Sequence, residues 1–118
     1  MRLSRKRKHA IVARMIELLD RPYGWTRGSW RRTRNDGVVQ FCMLGAVQQA
    51  YTDVTGKKTR GDGGDLADEL SIVALLKAKG LGPDTTNPTS RVIGFNDKKT
   101  TKKADVLAIL REKEAELA

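Results

Sequence analysis

The sequence predicts an α+β fold in which about four helices pack around a central apolar helix at about residues 41–52, with a small β-hairpin and a third strand able to join it. Three observations carry this prediction. Apolar residues recur at helical spacing in several segments, an Asn-Asp-Gly turn separates two short extended runs, and a nearly continuous apolar run follows them. The 118 residues suffice for one hydrophobic core, so we expect a single domain over residues 1–118.

The first predicted helix runs from Ser4 to Asp20, because its apolar residues return every three or four positions and form one face. Those residues are Ile11, Val12, Met15, Ile16, Leu18 and Leu19. Pro22 ends the helix, since a proline disfavours helical geometry in the residue before it. Cations in the first turns oppose the helix dipole. We therefore expect a frayed basic arm over residues 1–8 and ordered helix from about Lys8.

A hairpin is predicted next, because Asp-Gly in the turn at residues 35–37 supplies the positive φ values that tight turns need. Short strands are placed at about 28–34 and 37–40. Alternation along the first strand puts Arg31 and Arg32 on opposite faces.

The central helix is predicted from the run Phe41–Val47, which is apolar throughout when Gly45 is counted. A helix that is apolar nearly all round is buried. Glycine costs about 1 kcal/mol relative to alanine inside a helix, so Gly45 needs a reason. We interpret Cys42, Gly45 and Ala46 as a small face on which another helix approaches closely.

Two further helices and the third strand complete the prediction. A third helix spans about residues 65–80, with Asp65 as its cap. Arg91–Phe95 is predicted as a short strand, and a last helix covers about residues 102–116. Its cap is Thr101 or the threonine before it.

The charge of the chain is unevenly distributed. Residues 1–34 carry eleven cations against two acids, which accounts for the whole formal net charge of +9, whereas residues 35–118 balance twelve cations with twelve acids. Nine of the first eleven cations are arginines, against three of the last twelve. Arginine pairs bidentately with phosphate or carboxylate, so the first third of the chain predicts a surface that binds a polyanion.

Short motifs resemble those of a known group of proteins. Trp25 and Gly28 precede the hairpin, Cys-x-x-Gly-Ala opens the central helix at Cys42–Ala46, and an aromatic-Asn-Asp triplet at Phe95–Asp97 precedes the last helix. Over about residues 11–117 this pattern is similar to a family of small uncharacterised proteins of actinobacteria and their phages. Members more usually have tryptophan before the cysteine and before Asn-Asp. The resemblance implies the fold and a phage or mobile-element origin, and it implies no activity.

The charge pattern predicts a small non-enzymatic accessory protein of phage type that binds nucleic acid phosphates through an Arg-rich N-terminal face. The candidate contact residues are Arg5, Lys6, Arg7, Lys8, Arg27, Trp30, Arg31, Arg32 and Arg34. Trp25 is assigned to the core, while Trp30 either stacks on bases or joins the core. Binding would be steeply salt-dependent and weakly sequence-specific. The alternative partner is an acidic host protein that binds the same face.

The single cysteine, Cys42, leaves a second alternative open. A thiol at a helix N-terminus can have a lowered pKa, and together with His9 and Asn96 or Asp97 it would suggest a thiol enzyme. The favoured interpretation is a buried core cysteine, with Asn96 and Asp97 forming a turn that helps to cap the last helix. One histidine and one cysteine do not build a zinc site, so no metal or cofactor is expected.

The sequence also bears on where the protein acts. No apolar run approaches the ~18 residues of a membrane span, and charged residues interrupt the apolar part of the N-terminus, unlike a signal peptide. A lone cysteine fits a reducing compartment. We therefore expect no membrane association and a cytoplasmic location, in the host cytoplasm if a phage encodes the protein.

Overall fold

The computed structural model describes residues 3–59 and 61–118, in which six helices and one two-stranded antiparallel sheet form an α+β arrangement. In chain order these are α1 (Arg5–Asp20), β1 (Arg31–Thr33), β2 (Val39–Phe41), α2 (Met43–Thr55), α3 (Gly64–Glu69), α4 (Ile72–Ala78), α5 (Pro88–Asp97) and α6 (Lys103–Leu117). The predicted α+β class is confirmed. The described residues hold six helices rather than about four, for two reasons given below.

Helix α1 begins at Arg5 because Ser4 caps it, its hydroxyl oxygen accepting a hydrogen bond from the Arg7 amide at 3.2 Å. The buried face consists of Ile11, Val12, Met15, Leu18 and Leu19, five of the six predicted residues, and the sixth, Ile16, is half-buried. Residues 5–8 form the first helical turn rather than the predicted frayed arm. Residues 1 and 2, the rest of that arm, lie outside the described part of the chain.

The hairpin is shorter than predicted and its turn is longer. Residues 35–37 form a three-residue loop closed by hydrogen bonds from the Arg34 amide to the Val38 carbonyl and from the Gly37 amide to the Arg34 carbonyl, both 2.9 Å. Gly37 has φ +84°, the left-handed conformation that such loops place in their last position. The other edge of β2 pairs with the chain at Trp25, so β2 lies between that segment and β1.

Helices α1 and α2 run antiparallel. Arg14 of α1 lies 2.9 Å from Asp53, near the C-terminal end of α2, while Arg21, just after α1, reaches Val39, shortly before α2 begins. The predicted close approach at Gly45 exists, but the neighbour is not a helix. A Cβ built on Gly45 would lie 1.7 Å from the Trp30 carbonyl oxygen, so glycine is required for β1 to start against α2.

The third predicted helix is two helices, α3 and α4. Ser71 has φ +63°, and this left-handed residue breaks the helical path between them. The helix also begins one residue earlier than predicted. Gly63 stands at the cap position and Asp65 lies inside the first turn.

The predicted third strand is wrong, because Arg91–Phe95 belongs to helix α5. The β-branched residues there favour a strand, but a strong helix start precedes them. The Asn87 side chain accepts a hydrogen bond from the Ser90 amide at 3.0 Å, and Pro88 occupies the first turn. Burial of Val92 and Phe95 at helical spacing then fixes the helix against the core.

Helix α6 packs on α1 and α4, and its buried residues include Val106, Leu107 and Leu110. The predicted threonine cap is wrong. The helix starts after Lys102, whose amide donates to the Asp105 carboxylate at 2.8 Å. Thr101 is instead buried, and its carbonyl accepts a hydrogen bond described below.

Candidate functional site

The predicted basic face is divided between the two ends of α1. At a rise of about 1.5 Å per residue, this 16-residue helix is about 24 Å long. At its N-terminal end, Arg5 donates to the Glu116, Leu117 and Ala118 carbonyls at the end of α6. At its C-terminal end, Arg21 donates to the Val39 carbonyl at 3.1 Å, which places the hairpin there. The first helical turn and the hairpin therefore form separate clusters.

The cluster at the N-terminal end is here named the N-terminal patch and consists of Lys6, Arg7 and Lys8. Arg5 is not counted in it, because its guanidinium group is engaged by the three carbonyls at the end of α6. The three patch side chains form no hydrogen bond or ion pair with any residue in the ranges 3–59 and 61–118. They are a solvated cationic surface with no shaped site around it.

The cluster at the other end is here named the hairpin patch and consists of Tyr23, Trp30, Arg31, Arg32 and Arg34. All three residues of β1 are exposed. The Arg32 side chain forms no ion pair or hydrogen bond with any described residue, and the Arg31 guanidinium lies 5.9 Å from the centre of the Phe41 ring. Two of the arginines are therefore free of acidic partners in the described part of the chain.

The third arginine of the hairpin patch, Arg34, is held by two neighbours. Its guanidinium lies 3.7 Å from the centre of the Tyr23 ring and 3.3 Å from an Asp36 carboxylate oxygen. The Val38 amide donates to the same carboxylate, and together with Arg34 it lowers the pKa of Asp36. Asp36 is thus ionised at neutral pH and offsets one of the three cations.

The two aromatic members of the patch are unusual in their exposure. Tyr23 is 61% exposed and Trp30 is 40% exposed, and within residues 3–59 and 61–118 they are the large apolar side chains that remain open to solvent. The Trp30 indole N–H donates to the Asp62 carbonyl at 2.9 Å, so its ring is oriented while it stays exposed. Tyr23 contacts Arg34 and Trp30 directly precedes Arg31 in the chain, and such interleaving of rings and arginines is found in surfaces that stack on nucleic acid bases.

Arg31 and Arg32, the first two residues of β1, line different grooves. One groove, with a cavity volume of about 500 Å³, is lined by Arg32, Arg34 and Gln40 among others. A second, of about 310 Å³, is lined by Arg31 and Lys58 among others. This agrees with the predicted alternation of Arg31 and Arg32 and gives each side of the hairpin at least one cation.

Arg27 lies outside the hairpin patch, although the sequence groups it with the other arginines. Its guanidinium donates to the Thr101 carbonyl, in a short contact, and to the Lys99 carbonyl at 3.4 Å. It also lies 4.7 Å from the centre of the Trp25 ring. Arg27 therefore joins the segment before the hairpin to the loop before α6.

A polar network at Asn96 was missed by sequence reasoning. The side-chain oxygen of Asn96 accepts from the Trp25 indole N–H at 2.7 Å and from the Met43 amide at 3.1 Å. Its amide nitrogen donates to the Thr26 carbonyl at 3.1 Å and to Asp97 at 2.9 Å. Asn96 is 1% exposed. The predicted role of Asn96 and Asp97 in a turn that caps α6 is therefore wrong, since both residues belong to α5.

The same network explains why the motif residues stand where they do. The Asp97 carboxylate also accepts from the Gly28 amide at 3.1 Å. Trp25, Gly28, the start of α2 and the Asn96–Asp97 pair, which are far apart in sequence, therefore meet at one place. The available signal was the resemblance of these short motifs to those of a known family, and their role in the structure is to hold the segment that leads into the hairpin.

Cys42 lies at the start of α2, 5% exposed, and its sulfur accepts a hydrogen bond from the Gly45 amide at 3.5 Å. Burial raises the pKa of the thiol despite that bond, which is the opposite of what a nucleophile needs. His9 is in the N-terminal half of α1. Because α1 and α2 are antiparallel, it lies towards the far end of α2, and about 16 Å along the axis separates Cys42 from Asp53 there.

Metal ligands and membrane spans can be assessed for the described ranges alone. Within residues 3–59 and 61–118, no three His, Cys, Asp or Glu side chains are grouped so that they could hold a metal ion. In those same ranges, every helix is too short or too polar to cross a membrane.

The fold and the site together define a small helix-rich α+β protein that displays a cationic hairpin with exposed aromatic rings. The chain belongs to the family of unknown function DUF6197, whose family model matches residues 4–116. The match thus includes the Asn96 network and the whole hairpin patch. No curated protein and no solved structure matches the chain.

Proposed function

We propose that the protein is a non-enzymatic accessory protein, of phage type, that binds the phosphate backbone of nucleic acid through the hairpin patch. One observation carries the proposal: β1 exposes Arg31 and Arg32, one towards each side of the hairpin, and neither is paired with a carboxylate in the described part of the chain. Unpaired guanidinium groups attract phosphates, and their binding releases the counterions that had condensed on the nucleic acid. The protein offers them on a two-stranded ribbon, which is narrow enough to follow a nucleic acid surface.

An alternative use of the same arginines is the protection of a sheet edge. Charged side chains on an exposed edge strand prevent pairing with other strands, and β1 is such a strand. Protecting the edge of β1 from other strands does not, however, require exposed aromatic rings. Tyr23 and Trp30 stay exposed at 61% and 40% beside these cations, which supports a surface that binds a ligand with both phosphates and flat rings.

The test removes equal charge from the two ends of α1. Arg31→Ala/Arg32→Ala takes two cations from the hairpin patch, and Lys6→Ala/Arg7→Ala takes two from the N-terminal patch, where the side chains are likewise exposed. Binding of a fluorescent oligonucleotide is measured by anisotropy between about 50 and 200 mM salt. The hairpin variant should weaken binding and reduce the log–log salt slope by about 2, and the N-terminal variant should do neither.

Each other result contradicts the proposal. Equal losses in the two variants would mean that net charge, and not the hairpin, attracts the oligonucleotide. Affinity of the unchanged protein that does not vary with salt would exclude a phosphate-driven mode. Circular dichroism of both variants verifies that the fold is retained.

A second candidate is an acidic protein segment, favoured by one observation. Among the described residues β1 pairs only with β2, so its outer edge is open to a strand from a partner, and a strand rich in Asp or Glu would match the arginines. Recovery of the tagged protein from host lysate with and without nuclease separates the candidates. A partner retained after nuclease treatment favours this second one.

A further inference from the structure

Tyr23 occupies a backbone position that normally belongs to glycine. The Gly24 amide donates to the Arg21 carbonyl at 2.9 Å, which closes a four-residue turn with Pro22 and Tyr23 at its centre. Tyr23 has φ +58°. A turn with proline first and a positive φ second is of type II, and its second central residue is usually glycine or asparagine. A tyrosine is strained there, because its Cβ crowds the backbone in the left-handed region.

The fold gains little from this tyrosine. Its side chain is 61% exposed, and its described contact is the Arg34 guanidinium, 3.7 Å from the ring centre. Glycine or asparagine would form the same turn without the strain. A bulky residue held in a strained and exposed conformation points to a role in binding.

We propose that Tyr23, with Arg34 stacked on it, is a platform for an unpaired base, and that the hairpin patch therefore selects single-stranded nucleic acid over duplex. This inference rests on the proposed function. Bases in a duplex already stack on one another and offer no free face, whereas the bases of a single strand stack on aromatic rings and on guanidinium planes. Arg34 orders the ring through this stacking, while Asp36 offsets its charge.

Trp30 extends the platform to a second base. Arg34 and Trp30 lie four residues apart across β1, which corresponds to about 13 Å of extended chain. Arg32 stands between them on the exposed strand and lines the same groove as Arg34, whereas Arg31 lines the groove on the other side of the hairpin. A single strand lying along β1 would thus meet a ring, then a cation, then a second ring, which matches the alternation of bases and phosphates along its length.

The experiment compares a fluorescent oligo(dT) with a duplex of the same length, at one salt concentration, for the unchanged protein, Tyr23→Phe and Tyr23→Asn. The unchanged protein should prefer the single strand by more than about tenfold, because one stacked base alone is worth about that factor and the patch offers two rings. Phenylalanine should retain that preference to within about twofold, and asparagine should lose about tenfold in single-strand affinity and nothing in duplex affinity.

Stability gives a readout that a structural role for Tyr23 would not reproduce. Asparagine accepts the left-handed conformation, so Tyr23→Asn should raise the urea midpoint of unfolding while it weakens single-strand binding. A lower midpoint would mean that the tyrosine supports the fold and would overturn the inference. Stacking should also quench tryptophan fluorescence on binding, and Trp30→Phe should remove most of that quenching.

The two proposals fail in distinguishable ways. If no oligonucleotide of either form binds, the proposed function fails and this inference with it. If both forms bind equally, with the Arg31→Ala/Arg32→Ala loss intact and Tyr23→Asn without effect, phosphate binding stands and the inference alone is wrong.

Discussion

Two tryptophans five residues apart, Trp25 and Trp30, end in opposite environments. Trp25 packs against the core, donates its indole N–H to the buried Asn96 side chain and is covered by Arg27. Trp30 is 40% exposed and donates to a backbone carbonyl, that of Asp62, in a surface loop. Both rings are oriented by one hydrogen bond of similar length, 2.7 and 2.9 Å, yet Trp25 is half-buried against the core and Trp30 is exposed.

The difference shows how the molecule separates stability from binding. The segment around Trp25 is fixed by side chains from α5, which also hold the start of α2. The segment around Trp30 is then presented outward from that anchor, with free arginines beside it. Changes in the Asn96 network should therefore act on folding, and changes in the hairpin patch should act on binding. The predictions below test that division.

The largest effect is expected for Asn96→Leu. Leucine has a similar volume but leaves the Trp25 indole N–H and the Met43 amide without an acceptor, and the Thr26 carbonyl without a donor. Each unsatisfied buried group costs about 1–3 kcal/mol, so the free energy of unfolding should fall by roughly 4 kcal/mol. Urea denaturation measures it.

The matched control for that variant is Asn87→Ala, on the same helix α5. Asn87 is the helix cap, and its side chain accepts one hydrogen bond, from the Ser90 amide at 3.0 Å. Its loss should cost about 1 kcal/mol. If Asn96→Leu cost no more than this control, the network would not be the anchor of the hairpin.

Gly45→Ala should break the contact between the anchored core and the start of β1. A Cβ at Gly45 would lie 1.7 Å from the Trp30 carbonyl oxygen, which also accepts from the Cys42 amide at 3.3 Å. Overpacking of this kind costs about 1–3 kcal/mol, more than the helix gains from alanine. We expect a net loss of about 2 kcal/mol in unfolding free energy.

Thr52→Ala, on the same helix, is the control for the effect of an added alanine on helix stability. It should change the free energy of unfolding by no more than about 0.5 kcal/mol. Because Trp30 must move in Gly45→Ala, its fluorescence should shift as well. A Gly45→Ala protein as stable as the original, with unchanged fluorescence, would show that β1 does not depend on this approach.

The comparison is tested most directly by Trp25→Phe and Trp30→Phe. Each change removes one indole N–H and a similar amount of ring. Trp25→Phe leaves the buried Asn96 side-chain oxygen with one donor, the Met43 amide, instead of two. This change should lower the free energy of unfolding by about 1–2 kcal/mol. Trp30→Phe leaves a carbonyl that water can reach and should cost less than about 0.5 kcal/mol. Equal losses would mean that the two environments do not differ as described.

The elements that depend mainly on neighbouring residues in the chain were predicted correctly from the sequence. The amphipathic spacing of α1, the turn before Gly37 and the apolar run that becomes α2 were all predicted close to their observed bounds. Helix α5 was not, because Val92 and Ile93 favour strands locally, and the Asn87–Pro88 start together with burial decides otherwise.

The functional residues divide in the same way. Exposed arginines at the hairpin follow from composition and the turn. Asn96 does not, because its partners Trp25 and Met43 are 71 and 53 residues away, and no spacing rule brings them together. Tyr23 carried a partial signal: Pro-Tyr-Gly indicates a turn, but a tyrosine in its second central position favours type I, which has no positive φ. The separation of the cations into two clusters, one at each end of α1, could not be predicted. It follows from the antiparallel packing of α1 and α2, and a single sequence does not reveal that packing.

The smallest effect is expected from the carboxylate beneath Trp30. Asp62 accepts from the Gly64 amide at 3.0 Å and from the Thr89 hydroxyl at 2.8 Å, and these bonds hold its pKa below the ordinary 3.8. In the unfolded chain the same group takes up a proton at higher pH. The stabilisation is therefore complete above about pH 4 and is lost as the pH falls through the lower folded pKa.

Urea denaturation from about pH 6 down to about pH 3 should show this as an acid loss of stability that is reduced in Asp62→Asn. Thr89→Val, which keeps the carboxylate and removes one donor, should give an intermediate slope. The effect is small because the carboxylate is solvated. It should also be local, since the Asp62 carbonyl accepts from Trp30, whereas the Trp25 indole N–H donates to Asn96 in α5. Identical acid slopes in all three proteins would mean that the loop under the exposed tryptophan is not held by its carboxylate.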